Sequence, residues 1–238
     1  MKVDILAFGV HPDDVELSCS GTILKHIDAG YTVGIVDLTQ GELGTRGNAE
    51  LRLKEAQNAA EILGVSFRIN LGMQDGFFKN DQEHREKIIQ VIRKYQPQII
   101  LCNAVHDRHP DHGRAGQLVS EASFYAGLRR IETYENGIIQ EAYRPKAVYH
   151  YIQDRTLKPD FVVDVTPFVE GKINSIMAFS SQFFDPSSEE PVTPISTPEF
   201  LETVKSKMRV FGRDIMVEFA EGFTVDRTPG VENIMQLK

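Results

Sequence analysis

The chain has 238 residues, of which 41% are hydrophobic and 25% charged, a composition typical of a globular domain rather than a disordered or fibrous chain. Its formal net charge of −8 argues against a protein that tracks a nucleic-acid backbone or binds an anionic membrane surface. The two cysteines are too few for a disulfide framework, so we expect reduced thiols. No apolar run approaches the roughly 20 residues that cross a bilayer, and no signal peptide is evident. We therefore expect a cytoplasmic protein.

Short apolar runs alternate with amphipathic stretches through the first part of the chain. The apolar runs predict strands at 3–8, 32–38, 67–71 and 98–102, and the amphipathic stretches predict helices at 16–29, 49–63, 81–95 and 111–127. Four successive strand–helix units predict a parallel sheet, because right-handed crossovers join each strand to the next. The expected fold class is α/β, a Rossmann-like, doubly wound, mostly parallel sheet with helices on both faces.

The pattern changes after residue 143. Further strands are predicted at 147–151 and 161–165, further helices at 168–179 and 198–210, and a proline-rich surface loop or flap at 184–198. We therefore predict one domain over 1–238, with a Rossmann-like core at 1–143 and a C-terminal third at 144–238 that completes the sheet edge and forms a wall of the site.

Two polar clusters follow predicted strands. His-Pro-Asp-Asp occupies 11–14 after the first strand, and His-Asp-Arg-His-Pro-Asp-His occupies 106–112 after the fourth. Ligands of open parallel sheets bind beyond the carboxyl ends of the strands, where the strand order reverses. If the first and fourth strands are neighbours at that point, the two clusters face each other across one crevice.

The residue types in these clusters are those of a catalytic zinc site, which needs three protein ligands and one open position. His11, Asp14 and His112 would supply two imidazoles and a carboxylate, and Pro12 stiffens the turn between the first two. Iron(II) would use the same ligand set. The sequence thus predicts a metal centre, with zinc favoured by the ligand types.

Further acid and base groups accompany the predicted ligands. Asp13 would lie beside a metal-bound water as a general base. His109 would donate a proton to a leaving amine or stabilise an oxyanion, and Asp111 would orient one of the imidazoles. Taken alone, each cluster has an ordinary reading as a helix-capping turn or a solvated loop. Their coincidence at two strand ends favours a hydrolytic metal site.

Several stretches together carry a resemblance to a known family. They are Phe8 to Glu16, Thr39 to Gly47, Glu50 to Arg52 with Glu55 and Ala56, His109 to His112, Ser181 with Gln182, and Phe219 to Phe223. On these residues the sequence resembles the PIG-L or LmbE-like zinc deacetylases. The resemblance implies hydrolysis of an N-acetylglucosamine-type amide, with His11, Asp14 and His112 as zinc ligands, Asp13 as general base, and His109 as acid or oxyanion partner oriented by Asp111.

The resemblance also implies substrate contacts. Arg52 would contact substrate, although a helix-surface arginine paired with Glu50 or Glu55 is the alternative. Asp75 would bind a sugar hydroxyl or be a simple turn aspartate, and Arg46 would line the pocket. Some relatives carry a tyrosine where this sequence has Asp107, which places more weight on His109 as the oxyanion partner.

Residues 1–9 and 68–72 resemble the branch that deacetylates N-acetylglucosaminyl malate in bacillithiol biosynthesis. Deacetylation of N-acetylglucosamine or chitooligosaccharides is the competing expectation, since it uses the same zinc and catalytic residues. The implied partner is a small amino-sugar conjugate, and the implied assembly is a homo-oligomer such as a hexamer.

Two other classes of protein fit the motifs less well. A nicotinamide oxidoreductase would carry a glycine fingerprint after the first strand, but Gly9 is followed by His-Pro-Asp-Asp. A non-catalytic protein that binds zinc or sugar would need neither Asp13 nor His109.

Overall fold

The computed structural model describes residues 1–237 as an α/β fold. The strands are β1 (Ile5–Gly9), β2 (Val33–Thr39), β3 (Phe67–Met73), β4 (Ile99–Cys102), β5 (Tyr134–Glu135), β6 (Ile138–Ile139), β7 (Ala147–Tyr151), β8 (Phe161–Asp164) and β9 (Ala220–Val225). The helices are α1 (Asp14–Asp28), α2 (Ala49–Leu63), α3 (Gln82–Tyr95), α4 (Pro110–Ala126), α5 (Val169–Met177) and α6 (Phe200–Asp214).

Seven strands form one sheet in the order β3-β2-β1-β4-β7-β9-β8. The first five strands of that order run parallel, whereas β9 is antiparallel to both of its neighbours. The predicted mostly parallel, Rossmann-like sheet is confirmed. The strand order reverses between β1 and β4, which pair directly from Ile5 with Ile99 to Ala7 with Leu101.

Both faces of the sheet are covered because successive side chains of each strand point to opposite sides. Leu6 and Phe8 of β1 pack into a core cluster with α3 and α4, while Ile5 and Ala7 pack into a second cluster with α1. A buried central strand of this kind reads as a continuous apolar run, as it does in the sequence.

The helices that carry the site begin directly after central strands. Asp14 is the first residue of α1, so this helix starts two residues earlier than predicted, and Pro110 is the first residue of α4. Proline suits the first position of a helix because its missing N–H would have no partner there. The two motifs therefore lie in the β1–α1 and β4–α4 turns, on the same edge of the sheet.

The C-terminal third extends that sheet, although one of its strands was not predicted. β9 inserts between β7 and β8, and residues Ala220 to Phe223 are all buried. Because both faces of this segment are covered, its sequence lacks the alternation that marks a half-exposed strand. The hairpin of β5 and β6 was also missed, since each of its strands has only two residues.

A buried ion pair ties helix α1 to the C-terminal third. The Glu221 carboxylate of β9 accepts hydrogen bonds from the backbone N–H groups of Gly21 and Thr22 at 3.0 and 2.7 Å. The Lys172 ammonium of α5 donates to Glu221 at 2.8 Å and to the carbonyls of Glu16 and Leu17, both at 2.9 Å. Side chains from two other elements thus satisfy backbone groups in the middle of α1.

Replacing Lys172 by methionine should lower the free energy of unfolding by about 3–5 kcal/mol, because it leaves the Glu221 carboxylate buried without its cation. Denaturant unfolding followed by circular dichroism measures the change. The matched control is Lys205→Met, which removes a surface partner of Glu202 and should cost under about 1 kcal/mol. An equal decrease in the free energy of unfolding of both variants would show that the buried ion pair contributes no more to stability than the surface pair.

Cys19 and Cys102 are both buried, and neither forms a disulfide within residues 1–237. Within residues 1–237, none of the helices combines the length and apolar character that a membrane span requires.

Candidate active site

The two predicted motifs meet at the switch point and line one cavity of about 360 Å³. His11 comes from the β1–α1 turn, His109 from the end of the β4–α4 turn, and His112 from the first turn of α4. The ring centroid of His11 lies 4.8 Å from that of His109 and 5.6 Å from that of His112. Three imidazoles from two distant parts of the chain therefore share one site.

The carboxylate of Asp14 lies between two of these imidazoles. One oxygen is 3.2 Å from Nε2 of His112, and the other is 3.8 Å from Nδ1 of His11. The backbone N–H groups of Val10 and His11 each donate to the second oxygen at 2.9 Å. The turn itself thus fixes the Asp14 carboxylate toward both rings.

The remaining nitrogens of these two rings each face another carboxylate. Nε2 of His11 lies 3.0 Å from Asp75, and Nδ1 of His112 lies 2.5 Å from Asp107. Metal-binding histidines usually donate their second N–H to a carboxylate in this way. Nδ1 of His11 and Nε2 of His112 are consequently directed toward Asp14, and this donor set fits a zinc ion.

The site favours a positively charged occupant. Burial alone would lower the pKa of His112, but the Asp14 and Asp107 carboxylates raise it to about 10. The same carboxylates that attract a proton onto the ring would attract a divalent cation.

Two triplets other than the predicted set have ligand atoms that all lie within 4.8 Å of one another among residues 1–237: His11 with His109 and His112, and His11 with Asp75 and Asp111. The predicted set is not one of them. The first triplet differs from the predicted set in using His109 in place of Asp14. Nδ1 of His109 accepts the backbone N–H of Asp111 at 3.3 Å, so Nε2 is the nitrogen left to face the cavity.

Asp13 is held in a strained conformation beside the ligands. Its φ is 129°, in a region that residues with a side chain rarely adopt and that costs of order 1–3 kcal/mol. Nη2 of Arg52 donates to the Asp13 carboxylate at 2.8 Å and to the Pro12 carbonyl at 2.6 Å. Burial raises the pKa of Asp13 to about 6 against the opposing charge of Arg52. A carboxyl group with a pKa near neutrality is well suited to proton transfer.

The Arg52 guanidinium is thus not paired with Glu50 or Glu55 on the helix surface. It is also not available to the substrate alone, because it already binds Asp13. It lies on the cavity wall with most of its side chain buried, and its carboxylate partner is Asp13. Glu55 instead accepts hydrogen bonds from Ser180 and Ser181.

The structure also differs from the roles expected for two aspartates. Both oxygens of Asp75 are engaged, one by His11 and the other by the backbone N–H of Leu43 at 3.0 Å. The Asp111 carboxylate accepts hydrogen bonds from Gly76 N–H at 2.9 Å and Arg114 at 2.8 Å, and the imidazole it approaches is His11, at 3.8 Å from Nε2, rather than His109. Asp75 is placed to orient His11, and Asp111 touches His109 through its backbone.

Arg46 was expected to line the pocket, but its guanidinium faces another way. It donates to the Ser181 carbonyl, the Ser188 hydroxyl and the Pro191 carbonyl at 2.8, 2.9 and 3.2 Å. These contacts attach the proline-rich segment to the loop after β2.

Sequence reasoning missed two amides that hold Asp14. Gln153, just after β7, donates to one Asp14 oxygen at 3.0 Å, and Asn103, just after β4, donates to the other at 2.9 Å. Asn103 also donates to the side-chain oxygen of Gln153 at 2.9 Å. The signal available in the sequence was only that each amide directly follows a strand on the edge where the motifs lie.

Gln153→Leu should weaken metal binding by about 10- to 100-fold, the usual effect of losing a group that orients a ligand. Competition with a fluorescent zinc chelator measures the dissociation constant. Gln117→Leu, on the exposed side of α4, is the control and should leave metal affinity unchanged. Unaltered affinity in Gln153→Leu would mean that the backbone N–H groups alone position Asp14.

A Rossmann-like sheet whose switch point gathers histidines and carboxylates, in place of a glycine-rich phosphate loop, is typical of a metal-dependent enzyme. The chain belongs to the PIG-L family of deacetylases: the profile described as PIG-L, GlcNAc-PI de-N-acetylase, matches residues 6–123. That match contains both histidine motifs.

Individual relatives agree with this assignment. A diacetylchitobiose deacetylase of Thermococcus kodakarensis is 34% identical over 189 residues, covering 75% of this chain and 70% of that protein. The crystal structure of a conserved protein from Thermus thermophilus superposes with a TM-score of 0.85 at 33% identity, covering 96% of this chain and 97% of the other. A probable N-acetyl-alpha-D-glucosaminyl L-malate deacetylase 2 of Bacillus anthracis is 27% identical over 186 residues, covering 73% and 78%. The predicted family, fold class and hydrolytic deacetylase activity are confirmed.

Proposed function

We propose that this protein hydrolyses the N-acetyl amide of an N-acetylglucosamine conjugate at a zinc site formed by His11, Asp14 and His112. The observation that supports the proposal is the arrangement around Asp14, where two imidazole nitrogens face one carboxylate and each ring is backed by a second carboxylate. Zinc bound there would act as a Lewis acid and lower the pKa of a coordinated water to about 7.

The chain's own groups account for the proton movements. Asp13 takes a proton from the water that attacks the acetyl carbon, and the same proton is available to the nitrogen when the carbon–nitrogen bond breaks. The products are acetate and the free amine. Arg52 keeps the Asp13 carboxylate in place during both transfers.

His109 would stabilise the negative charge that develops on the amide oxygen. Because its Nδ1 accepts the Asp111 N–H, the neutral ring carries its proton on Nε2, which makes that nitrogen a hydrogen-bond donor. Burial, together with the charges of His11 and His112, lowers the pKa of His109 and so favours the neutral ring. A neutral donor suits an oxyanion partner better than a general acid.

For the substrate we propose N-acetylglucosaminyl malate, the compound of the bacillithiol pathway. The likeness to the Bacillus anthracis protein supports this choice. Arg108 and Lys207 line the cavity but already have partners: Arg108 is paired with the Asp154 carboxylate, and Lys207 donates to two backbone carbonyls. Diacetylchitobiose is the second candidate, because the relative from Thermococcus kodakarensis is more similar in sequence.

Acetate release tests both levels of the proposal. Metal-stripped protein is assayed with and without added zinc on N-acetylglucosaminyl malate, diacetylchitobiose and N-acetylglucosamine. Zinc-dependent release with a preference for the malate conjugate supports the full proposal. Release without that preference moves the substrate toward chitooligosaccharides, and release that ignores zinc contradicts the metal assignment; iron(II) is added in a parallel series.

The expected homo-oligomer and cytoplasmic location remain predictions. Light scattering of the purified chain measures the assembly, and fractionation of the producing cell measures the location.

A further inference from the structure

Large apolar side chains form part of the wall of the cavity that contains the histidines. They come from α1, from α6 and from the residue that follows β7. These residues are Leu17, Ile152, Phe200, Val204, Met208 and Phe211. We call the part of the cavity that they line the apolar chamber.

The apolar chamber begins next to the reacting groups. Ser18 follows Asp14 by four residues on α1, so it lies on the same helix face about one turn, or 5.4 Å, further along, and Leu17 precedes it directly. Ile152 directly precedes Gln153, whose amide donates to Asp14. A group attached to an amide at the metal site could therefore extend into the chamber.

An acetyl group does not account for such a chamber. Its single methyl would contact a small part of the wall, while six large apolar side chains line another part, beside polar groups such as Thr203 and Gln182. Water next to the six apolar side chains would gain no hydrogen bond from them, and an apolar guest would lose none there. The chemistry of the wall thus favours an alkyl group.

The polar residues at the wall of the chamber do not favour a charged guest. Lys172 and Glu221 are bonded to each other and to the backbone of α1, so neither presents an unpaired charge. Lys207 of α6 also lines the cavity, and its ammonium donates to two backbone carbonyls. The Ser18 hydroxyl, buried and without a partner among residues 1–237, is uncharged. An ionised group would lose its hydration there without compensation.

We propose that the apolar chamber binds an unbranched alkyl group of the substrate, next to the amide that is cleaved. This inference rests on the proposed amide hydrolysis and deepens it. The alkyl group would come either from an acyl chain longer than acetyl or from an alkyl aglycone of the sugar. With a longer acyl chain, water attacks the acyl carbon, the carbon–nitrogen bond breaks, and the products are a fatty carboxylate and the free amine.

Two substrate series distinguish the sources of the alkyl group. The first is glucosamine carrying N-acetyl, N-butanoyl, N-hexanoyl or N-octanoyl groups, and the second is N-acetylglucosamine as its methyl, butyl, hexyl and octyl glycosides. In one series kcat/KM should rise by roughly three- to fourfold per methylene until the chamber is filled. The series that rises identifies the source, and two flat or falling series overturn the proposal.

Val204→Phe supplies the structural test, because it adds bulk to the chamber wall. It should abolish the gain with chain length while leaving hydrolysis of the N-acetyl substrate within about twofold of the unsubstituted enzyme. The matched control is Val210→Phe, the same substitution on the same helix at a side chain that is 60% exposed. Loss of the chain-length gain in both variants, or in neither, contradicts the assignment of the chamber.

Binding measured by calorimetry separates this inference from the proposed function. Zinc-loaded protein is titrated with N-octanoylglucosamine and with N-acetylglucosamine. If no amide is cleaved but the octanoyl compound binds more tightly and Val204→Phe removes that difference, the proposed reaction fails and the chamber stands. If N-acetyl compounds are cleaved but the alkyl chain adds neither affinity nor rate, the reaction stands and the chamber proposal fails.

Discussion

Asp13→Asn should lower kcat/KM for N-acetyl hydrolysis by about 100- to 10,000-fold, the range expected when a general base is removed. Asparagine has nearly the shape of aspartate, and its carbonyl oxygen can still accept the hydrogen bond from Arg52. The amide cannot take a proton from water. The loss should therefore appear in turnover, with the folded structure retained.

The metal content of the variant identifies what was lost. Asp13→Asn should bind zinc as the unsubstituted protein does, as measured by elemental analysis after dialysis against a defined zinc concentration. Asp28→Asn, at the exposed end of α1, is the matched control and should change neither quantity. If Asp13→Asn loses zinc together with activity, Asp13 is a ligand and the assignment of the base is wrong.

Asp14→Ala should weaken zinc binding by more than about 100-fold, beyond the 10- to 100-fold expected for a residue that only orients a ligand. His109→Ala should retain zinc and lose activity, because its Nε2 acts on the amide oxygen in the proposed mechanism. Zinc titration of the two variants, with acetate release measured in parallel, separates the two candidate ligand sets. Asp14→Asn is included because it preserves an acceptor for the N–H groups of Val10 and His11.

The opposite pattern would assign the metal to the alternative triplet. Zinc lost from His109→Ala but retained by Asp14→Ala would make His11, His109 and His112 the ligands, a triplet whose donor atoms lie within 4.8 Å of one another. Asp14 would then be a structural acceptor at the start of α1.

The strand ends were predictable because local features determine them. The apolar runs before residues 11 and 103 are nearly continuous, and the polar motifs that follow them mark where each strand ends. The adjacency of β1 and β4 followed from the common order of doubly wound sheets. These two facts were sufficient to bring the motifs together.

The contacts that orient the ligands were not predictable in the same way. Asp75 lies 64 residues from His11, and Gln153 lies 139 residues from Asp14. Neither pair has a spacing pattern in the sequence, because contacts across a sheet edge depend on loop paths. The partner of Arg52 was unpredictable for the same reason. Its helical neighbours Glu50 and Glu55 were the partners that sequence spacing indicates, but in the fold Arg52 pairs with Asp13.

The ion pair of Lys172 and Glu221 limits which fragments of this enzyme, and which chimaeras with relatives, can keep the structure of α1. The segment from β1 to α4 contains all the proposed ligands and the general base, yet the middle of α1 depends on one side chain from α5 and another from β9. A fragment that ended after α4 would leave those backbone groups of α1 without the partners they have here. A chimaera that joined the ligand-bearing half to the second half of a relative would need to preserve both the lysine and the glutamate, together with Gly21, where an added Cβ would come within 3.0 Å of the Glu221 carboxylate.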